Sequence, residues 1–446
     1  MAGSQSFRDS IGQQPADQLP CYVTLVANLP DGTTAPRGLP APEQIRWPLA
    51  AGRDLFELKY GKALVESNRR PGHIHVYGTN GRCGSHDQPL FKGPGVILGR
   101  KGQGPLGVEW SDNDYWVIDT AYSLTPLRAD IDLRYAYFLI KFIGLNHLKD
   151  GTSNPTLSRD TFGAQALPLP PLEQQRAIAH ILGTLDDKIE LNRRMNETLE
   201  TLARALFQSW FVDFDPVRAK VEGRDTGLPR HLADLFPDSF EVSELREIPK
   251  GWRMRSIYDI ADIVYGAPFA SAKFNAENLG EPLVRIRDLP NERPGVWTTE
   301  VHPKGYKIRP GEIVVGMDGE FRAYLWGGDE AWLNQRVCAF LPRQGFSAAF
   351  VRNSIIEPLA QVEATETATT VIHLGKNDID RFLAVVPPQP VLAAFNGTCQ
   401  PWYDRIVASK SESQTLTSLR DTLLPKLISG ELRVKDAERF LEQRGL

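Results

Sequence analysis

Cysteine is scarce. The 446-residue chain has four, Cys21, Cys83, Cys338 and Cys399, far apart and without a Cys-x-x-Cys pair. That excludes a zinc knuckle and argues against a disulfide framework; reduced thiols and a cytoplasmic location are the expectation. No apolar run reaches the roughly 18 residues of a membrane span. The N-terminal stretch MAGSQSFRDSIGQQPADQ has no basic patch followed by an apolar segment, so no secretory signal is expected. Neither charge sign dominates: 51 Lys and Arg against 55 Asp and Glu give a net charge of −4. A strongly basic domain would point directly to nucleic acid; here any phosphate contact must come from local patches or be shared with a partner.

Catalytic signatures are also missing. There is no G-x-x-x-x-G-K-[ST] phosphate loop. There is no Gly-rich cofactor loop with an Asn/Asp-Pro-Pro-aromatic site, as an adenine methyltransferase needs; Pro170-Pro171 and Pro387-Pro388 lack the acid and the aromatic. Glu57-x-Lys59 is too short and too common a string to mark a nuclease. His73-Ile-His75 would put both imidazoles on one strand face, with no third metal ligand evident. Asp186 and Asp187 are consecutive, so on a helix their carboxylates diverge. No nucleophile–base constellation follows from spacing.

What the chain does have is itself, twice. PPLEQQRAIAHILGTLDDKIELNRR from Pro170 and PPQPVLAAFNGTCQPWYDRIVASKS from Pro387 match in pattern at an offset of 217. Leu157 and Phe162 fall on Leu374 and Ile379 at the same offset, and PGVILGRKG from Pro94 resembles PGEIVVGMDG from Pro310. A repeat of about 200 residues is too long for a solenoid. Each copy opens with Gly, Pro, aromatics and short β-branched runs, such as HIHVYGT, YWVIDTAY and RVCAFLP, which read as strands bounded by turns. Each copy then turns helical.

In copy one, Ile178, Leu182, Leu185, Ile189, Leu199, Leu206 and Trp210 recur at spacings of four and three, a heptad seam. The same frame in copy two gives Phe395, Cys399, Trp402, Ile406, Leu416, Leu423 and Leu427. Both seams carry a polar defect at one place, Asn192 and Asn196 in the first and Ser409 and Ser413 in the second. A matched polar layer predicts that the helices pack on each other, antiparallel, with the defects meeting. The first helix should run from Leu172 to about Phe211, on the order of 60 Å, and end at Asp213-Phe214-Asp215-Pro216. Pro425 should break or bend the second, and Gly430 suits its C-terminal cap.

The expected fold is α+β: two tandem mixed α/β modules, separated by two long helices packed as an antiparallel coiled coil. The expected boundaries are an N-terminal extension at 1–45, a first module at 46–169, a first long helix at 170–215, a charged connector at 216–248, a second module at 249–386, and a second long helix with a C-terminal segment at 387–446. Two readers on a spacer suit measurement at a distance.

These residues resemble a known family. PLPPLEQQRAIAHIL followed by DDKIELNRRMNETLETLARALFQSWF is similar to the helical region of specificity subunits of type I restriction–modification enzymes. SLRDTLLPKLISGELRV resembles that family's C-terminal signature. IPKGW, PGEIVVGMDG, FELKYGKAL, YWVIDTAY and GTSNPTLSRD resemble stretches of its target recognition domains, in the same order. The resemblance covers about residues 46–446. Copy two departs from it, with Pro-Pro-Gln-Pro-Val-Leu where copy one has Pro-Pro-Leu-Glu-Gln-Gln. The resemblance implies a non-catalytic subunit whose two modules each read half of a bipartite double-stranded DNA target across a gap set by the coiled coil. It implies partners: two methyltransferase subunits that would carry S-adenosylmethionine, and motor–nuclease subunits that would use ATP and Mg. No cofactor and no metal is expected in this chain, and no membrane.

Base reading needs side chains at base edges, Arg or Lys for guanine and Asn or Gln for adenine. Module one offers Asn80, Arg82, Arg100 and Lys101 in predicted loops, with His86 and Gln88 nearby. Module two offers Arg285, Arg287, Asn291, Arg322 and Arg336, with Asp288, Arg293 and Asn334 nearby. Arg285-x-Arg287 and Arg322 stand out, the pair because alternate residues of a strand share a face. Gly102-Gln103-Gly104 and Gly316–Gly319 could admit DNA backbone or merely close hairpins. Residues 51–168 hold 14 basic and 12 acidic side chains, 249–386 hold 16 and 17, and 172–215 hold 5 and 8. The modules are near neutral and the helix is acidic. Weak DNA binding by the chain alone is therefore expected. The competing expectation is a protein-binding scaffold with the same architecture.

Overall fold

The computed structural model describes residues 29–243, 246–365 and 372–443. Cys21 and residues 1–28 of the expected N-terminal extension lie outside the described residues. The chain forms two compact units, one running up to Asp186 and resuming at Ser418, the other Asp187–Thr417. The expected boundaries differ from these, because each long helix contributes one part to each unit.

The first unit is built on an antiparallel sheet in the order Phe56–Tyr60, Ala121–Pro126, Gly95–Gly99, Val108–Ser111. Gly95–Gly99, the GVILG run, is buried along its whole length. That explains why it reads as continuous apolar sequence rather than an alternating strand. A smaller sheet places Ile74–Gly78 between antiparallel Gly81–His86 and parallel Tyr115–Val117. Gly61 lets the chain leave Tyr60 tightly, since a Cβ there would sit 2.2 Å from the Ile118 carbonyl. The helix Leu133–Ile143 starts at Asp132, whose side chain accepts the Tyr135 N–H, and stops at Gly144 with φ +69°. It buries Tyr135, Phe138, Leu139 and Ile140. Residues 29–45 belong to this unit: Thr34 bridges Gln165 and Ile45 is buried.

The second unit repeats the plan. Ala261–Tyr265, Val337–Pro342, Ile313–Gly316 and Ala323–Leu325 form an antiparallel sheet in that order. Glu281–Val284 runs parallel to Ala331–Leu333. In both units a short terminal ladder closes the module just before the prolines that open a long helix. Leu49–Ala51 pairs with Ala166–Pro168 in one, and Arg253–Ser256 with Leu383–Val386 in the other. The duplication read from sequence is thus a duplication of strand topology.

The first long helix is Leu172–Phe207, followed by a π-helical turn at Gln208–Val212. The second is Gln389–Ser429. Pro425 does not end it; Gly430, with φ +78°, follows its last residue. In the first unit Ile178, Leu182, Leu185, Leu423 and Leu427 are buried, and Asp186 meets Arg420 at 2.5 Å. In the second unit Phe395, Cys399, Ile406 and Leu416 are buried, while Ile189, Leu199, Leu206 and Trp402 are half-buried. Tyr403, one step on from Trp402, takes the fully buried place.

Within the second unit the contacts run antiparallel. Asn192 meets Ser409 and Ser413, whereas Phe207, further along, meets Phe395. The polar layers do meet: the Asn192 amide donates to Glu412 Oε2 at 2.7 Å and to Ser413 Oγ at 3.2 Å. The Asn192 and Asn196 Oδ1 atoms are buried without a hydrogen-bond partner.

The sequence reading of 216–248 as a charged connector is corrected. Val217, Phe236 and Ile248 are buried in the second unit's core. Phe236 packs edge-on to Trp210 at 5.0 Å and beside Trp252 at 6.3 Å. Charged residues between these apolar anchors gave the stretch its connector-like composition.

Candidate nucleic-acid interface

In the first unit the turn after Gly95–Gly99 carries Arg100 and Lys101. Arg100 Nη1 donates to the Asp119 carbonyl at 3.0 Å, and Lys101 Nζ lies 3.1 Å from the Asp119 carboxylate. The Arg100 guanidinium also lies over the rings of Tyr60 at 4.8 Å and Tyr122 at 5.6 Å. Arg159, exposed at the start of the short helix Arg159–Gly163, stacks on the same Tyr60 ring at 4.2 Å. Tyr60 is 49% exposed, and burial pushes the adjoining Tyr122 hydroxyl up to about 12. Two guanidiniums thus share one solvent-facing phenol. Stacking holds a guanidinium's plane while its edge N–H groups remain available to an acceptor.

Tyr60 and Arg159 were not singled out from sequence. The available signal was weak: Tyr60 ends an alternating strand, FELKY, and Arg159 follows Ser158, whose side chain caps the Thr161 N–H. Nothing linear brings them together.

The other module-one candidates separate by environment. Asn80 and Arg82 are exposed on the hairpin between Ile74–Gly78 and Gly81–His86. Its turn passes Glu109, whose carboxyl is raised by burial against the opposing pull of Lys141. His86 is structural: it is buried against Trp116, and its Nδ1 accepts the Arg70 N–H. Gln88 is exposed. The Gly102–Gly104 loop is braced rather than open. Lys149 Nζ donates to the Gly102 and Gly104 carbonyls at 3.3 and 3.0 Å, and Gln103 donates to the Ser153 carbonyl at 2.7 Å.

In the second unit, Arg285 and Arg287 do not share a strand face. The strand ends at Val284, and a 3-10 turn spans Ile286–Asp288. Asp288 is buried and accepts from the Arg285 backbone N–H at 3.0 Å and from its Nε at 3.1 Å. An acid capping its own turn decided against the strand, and it ties Arg285 to the scaffold. Arg287 is exposed. Asn291 and Arg293 are exposed on either side of buried Glu292. Burial raises the Glu292 carboxyl, with the Lys410 charge opposing. Arg322 lies 3.3 Å from Glu320 and 3.5 Å from Glu363. Arg336 lies 3.6 Å from Asp318 and 3.3 Å from His373 Nδ1. Asn334 Oδ1 accepts the Gln335 N–H. Arg322 and Arg336 are therefore shared with acids, whereas Arg287, Asn291 and Arg293 present their edges to solvent. Such groups can donate to phosphates and base edges.

Residues 47–201 match the family described as the type I restriction modification DNA specificity domain. Over these residues the chain is similar to that family. The HindI type I restriction enzyme specificity subunit of Haemophilus influenzae is 26% identical over 392 residues, covering 75% of this chain and 85% of that protein. The MjaIX specificity subunit of Methanocaldococcus jannaschii is 29% identical over 330 residues, covering 68% and 69%. A crystal structure of the type I restriction–modification S subunit from M. genitalium has the same fold, with a TM-score of 0.54 at 16% identity, covering 88% of this chain and 99% of that one. The resemblance to type I specificity subunits, read from the long-helix and recognition-module motifs, therefore holds.

The matched region runs from Trp47 into the first long helix and contains the Tyr60, Arg100 and Arg159 stack together with Asn80 and Arg82. Module two repeats the domain's strand order with Arg287, Asn291 and Arg293 on its loops. No helix among the described residues is long and apolar enough to cross a membrane.

Proposed function

We propose that this chain is the DNA-reading subunit of a type I restriction–modification complex. Each module reads one half of a bipartite double-stranded target, and the antiparallel helices set the gap between halves. Asn80, Arg82, Arg100, Arg159 and Tyr60 serve module one; Arg287, Asn291 and Arg293 serve module two. Lys101, Arg322 and Arg336 carry their acids with them and act as weaker phosphate partners. Arg285 supports its loop. The chain performs no chemistry itself. Two methyltransferase subunits dock on it and bring S-adenosylmethionine; motor–nuclease subunits bring ATP and Mg.

One observation carries this reading: the same strand topology occurs twice, and each copy displays exposed Arg and Asn side chains on its loops. The near-neutral charge of both modules supports tight binding only with partners enclosing the duplex, because phosphate contacts supply much of the affinity. The test is selection of bound DNA from a random library by the chain assembled with its methyltransferase. Two half-sites separated by a fixed gap are expected. No enrichment by an intact complex would favour a protein-binding scaffold.

A further inference from the structure

The strongest unexplained feature lies beneath the module-two loop that carries Asn291 and Arg293. Between these exposed residues sits Glu292, 8% exposed, with its carboxylate 2.5 Å from Lys410 Nζ on the second long helix. Lys410 also donates to the Leu325 carbonyl at 2.8 Å. Gln414, one turn further along that helix, donates to the Glu292 carbonyl at 3.5 Å and accepts from Arg293 Nη2 at 3.3 Å.

Space is reserved for this arrangement. A Cβ on Gly327 would sit 2.6 Å from the Lys410 side chain, and one on Gly328 would sit 2.6 Å from the Glu292 carbonyl. Glu292 has φ +52°, a left-handed conformation that residues with a Cβ avoid. Such a conformation persists only where the surroundings over-determine it, and it gathers at functional loops.

We infer that the Glu292–Lys410 pair locks the 289–295 loop to the second long helix and thereby aims Asn291 and Arg293 at DNA, making Lys410 a positioning residue for base reading by module two. The inference rests on the proposed DNA-reading function.

The simpler view is an ion pair that fills a gap in the core. A buried pair is a weak source of stability, and apolar side chains of similar volume generally do as well. What an apolar filler does not provide is direction. The lysine selects one orientation of the carboxylate, and the left-handed residue turns its two neighbours outward. The same helical turn is registered against the first long helix, because the Ser409 carbonyl and Ser413 Oγ both accept from Asn192. The reading loop is therefore referenced to the spacer as well as to its own sheet. Arg293 spends one guanidinium N–H on Gln414, and the remaining donors face outward.

The test uses the chain assembled with its methyltransferase partner and library selection of bound DNA. Lys410→Met should reduce preference for the best base over the next best at least tenfold at positions of the module-two half-site. The module-one half-site and the gap should be unchanged, and Lys410→Arg should restore most of the preference. An intact Lys410→Met complex with an unchanged second half-site overturns the positioning role. Should that variant not assemble, Glu292→Gln combined with Lys410→Met removes both charges and carries the same expectation. Failure of both to assemble would make the pair a core element only and overturn the inference. A wild-type complex that selects no second half-site defeats the DNA-reading function and the inference together, a result distinct from loss of the anchor alone.

Discussion

Arg159 provides the sharpest test of how module one holds DNA. It is exposed, stacked on Tyr60 at 4.2 Å, and in no ion pair among the described residues. Its charge is therefore available to a phosphate. Each phosphate neutralised contributes about 0.9 to the slope of log affinity against log salt. Arg159→Ala should lower that slope by about 0.9. Between 50 and 200 mM salt, its affinity deficit should then shrink by roughly three- to fourfold. Tyr60→Ala removes the platform under both Arg159 and Arg100. At about 0.5–1 kcal/mol per exposed cation–π contact, two contacts amount to about 1–2 kcal/mol, on the order of 5–30-fold in affinity. Tyr60→Phe keeps the ring and should stay within about twofold of the parent. The assay is fluorescence anisotropy of the assembled complex on a duplex bearing its selected target, at several salt concentrations. A phosphate contact does not discriminate between bases, so the module-one half-site should be unchanged in all three variants. An unaltered salt slope in Arg159→Ala, or a Tyr60→Phe loss as large as that of Tyr60→Ala, would refute the reasoning.

The helix pair and the cysteines give further tests. Asn192→Ala and Asn192→Leu lose the same hydrogen bonds to Glu412 and Ser413, but leucine also refills a buried seam position. Thermal unfolding should find the leucine variant more stable than the alanine variant by about 2 kcal/mol; the reverse order would remove the layer from the seam. Cys338 and Cys399 are buried, and burial pushes both thiols up to about 12, whereas Cys83 is exposed. Among these three, native alkylation should label Cys83 alone, with the other two reacting only on denaturation. A raised folded pKa contributes stability that is present below the unfolded thiol's value, about 8.5, and lost as pH rises toward about 12. Between pH 8 and 10.5 the parent should therefore lose more stability than a Cys338→Ala/Cys399→Ala variant in denaturant titrations. Parallel losses would show that the thiols ionise equally well in the folded chain.

The features legible in the sequence were those that repeat along it. Ile178, Leu182 and Leu185 announced a buried seam by spacing alone, because a helix maps a linear period onto one face. The meeting of Asn192 with Ser409 and Ser413 followed from matched defects in two such periods. Arg285 was misplaced because a strand and a 3-10 turn look alike over three residues; the buried Asp288, accepting from the Arg285 backbone, decides between them. Phe236 and Ile248 lie in the stretch read as a charged connector, and only the aromatic cluster around Trp210 and Trp252 shows where they are buried.

The sequence by itself therefore determined the duplication, the two long helices, their polar layer and the family the chain resembles. All of these are carried by order and period, which the chain states directly. The tertiary structure decided which polar side chains face solvent and which are consumed. It paired Glu292 with Lys410, set Arg159 against Tyr60, and bound Arg322 and Arg336 to nearby acids. A side chain's availability depends on its neighbours in space, which burial and charge pairing select from residues far apart in the chain, and no linear spacing encodes that choice.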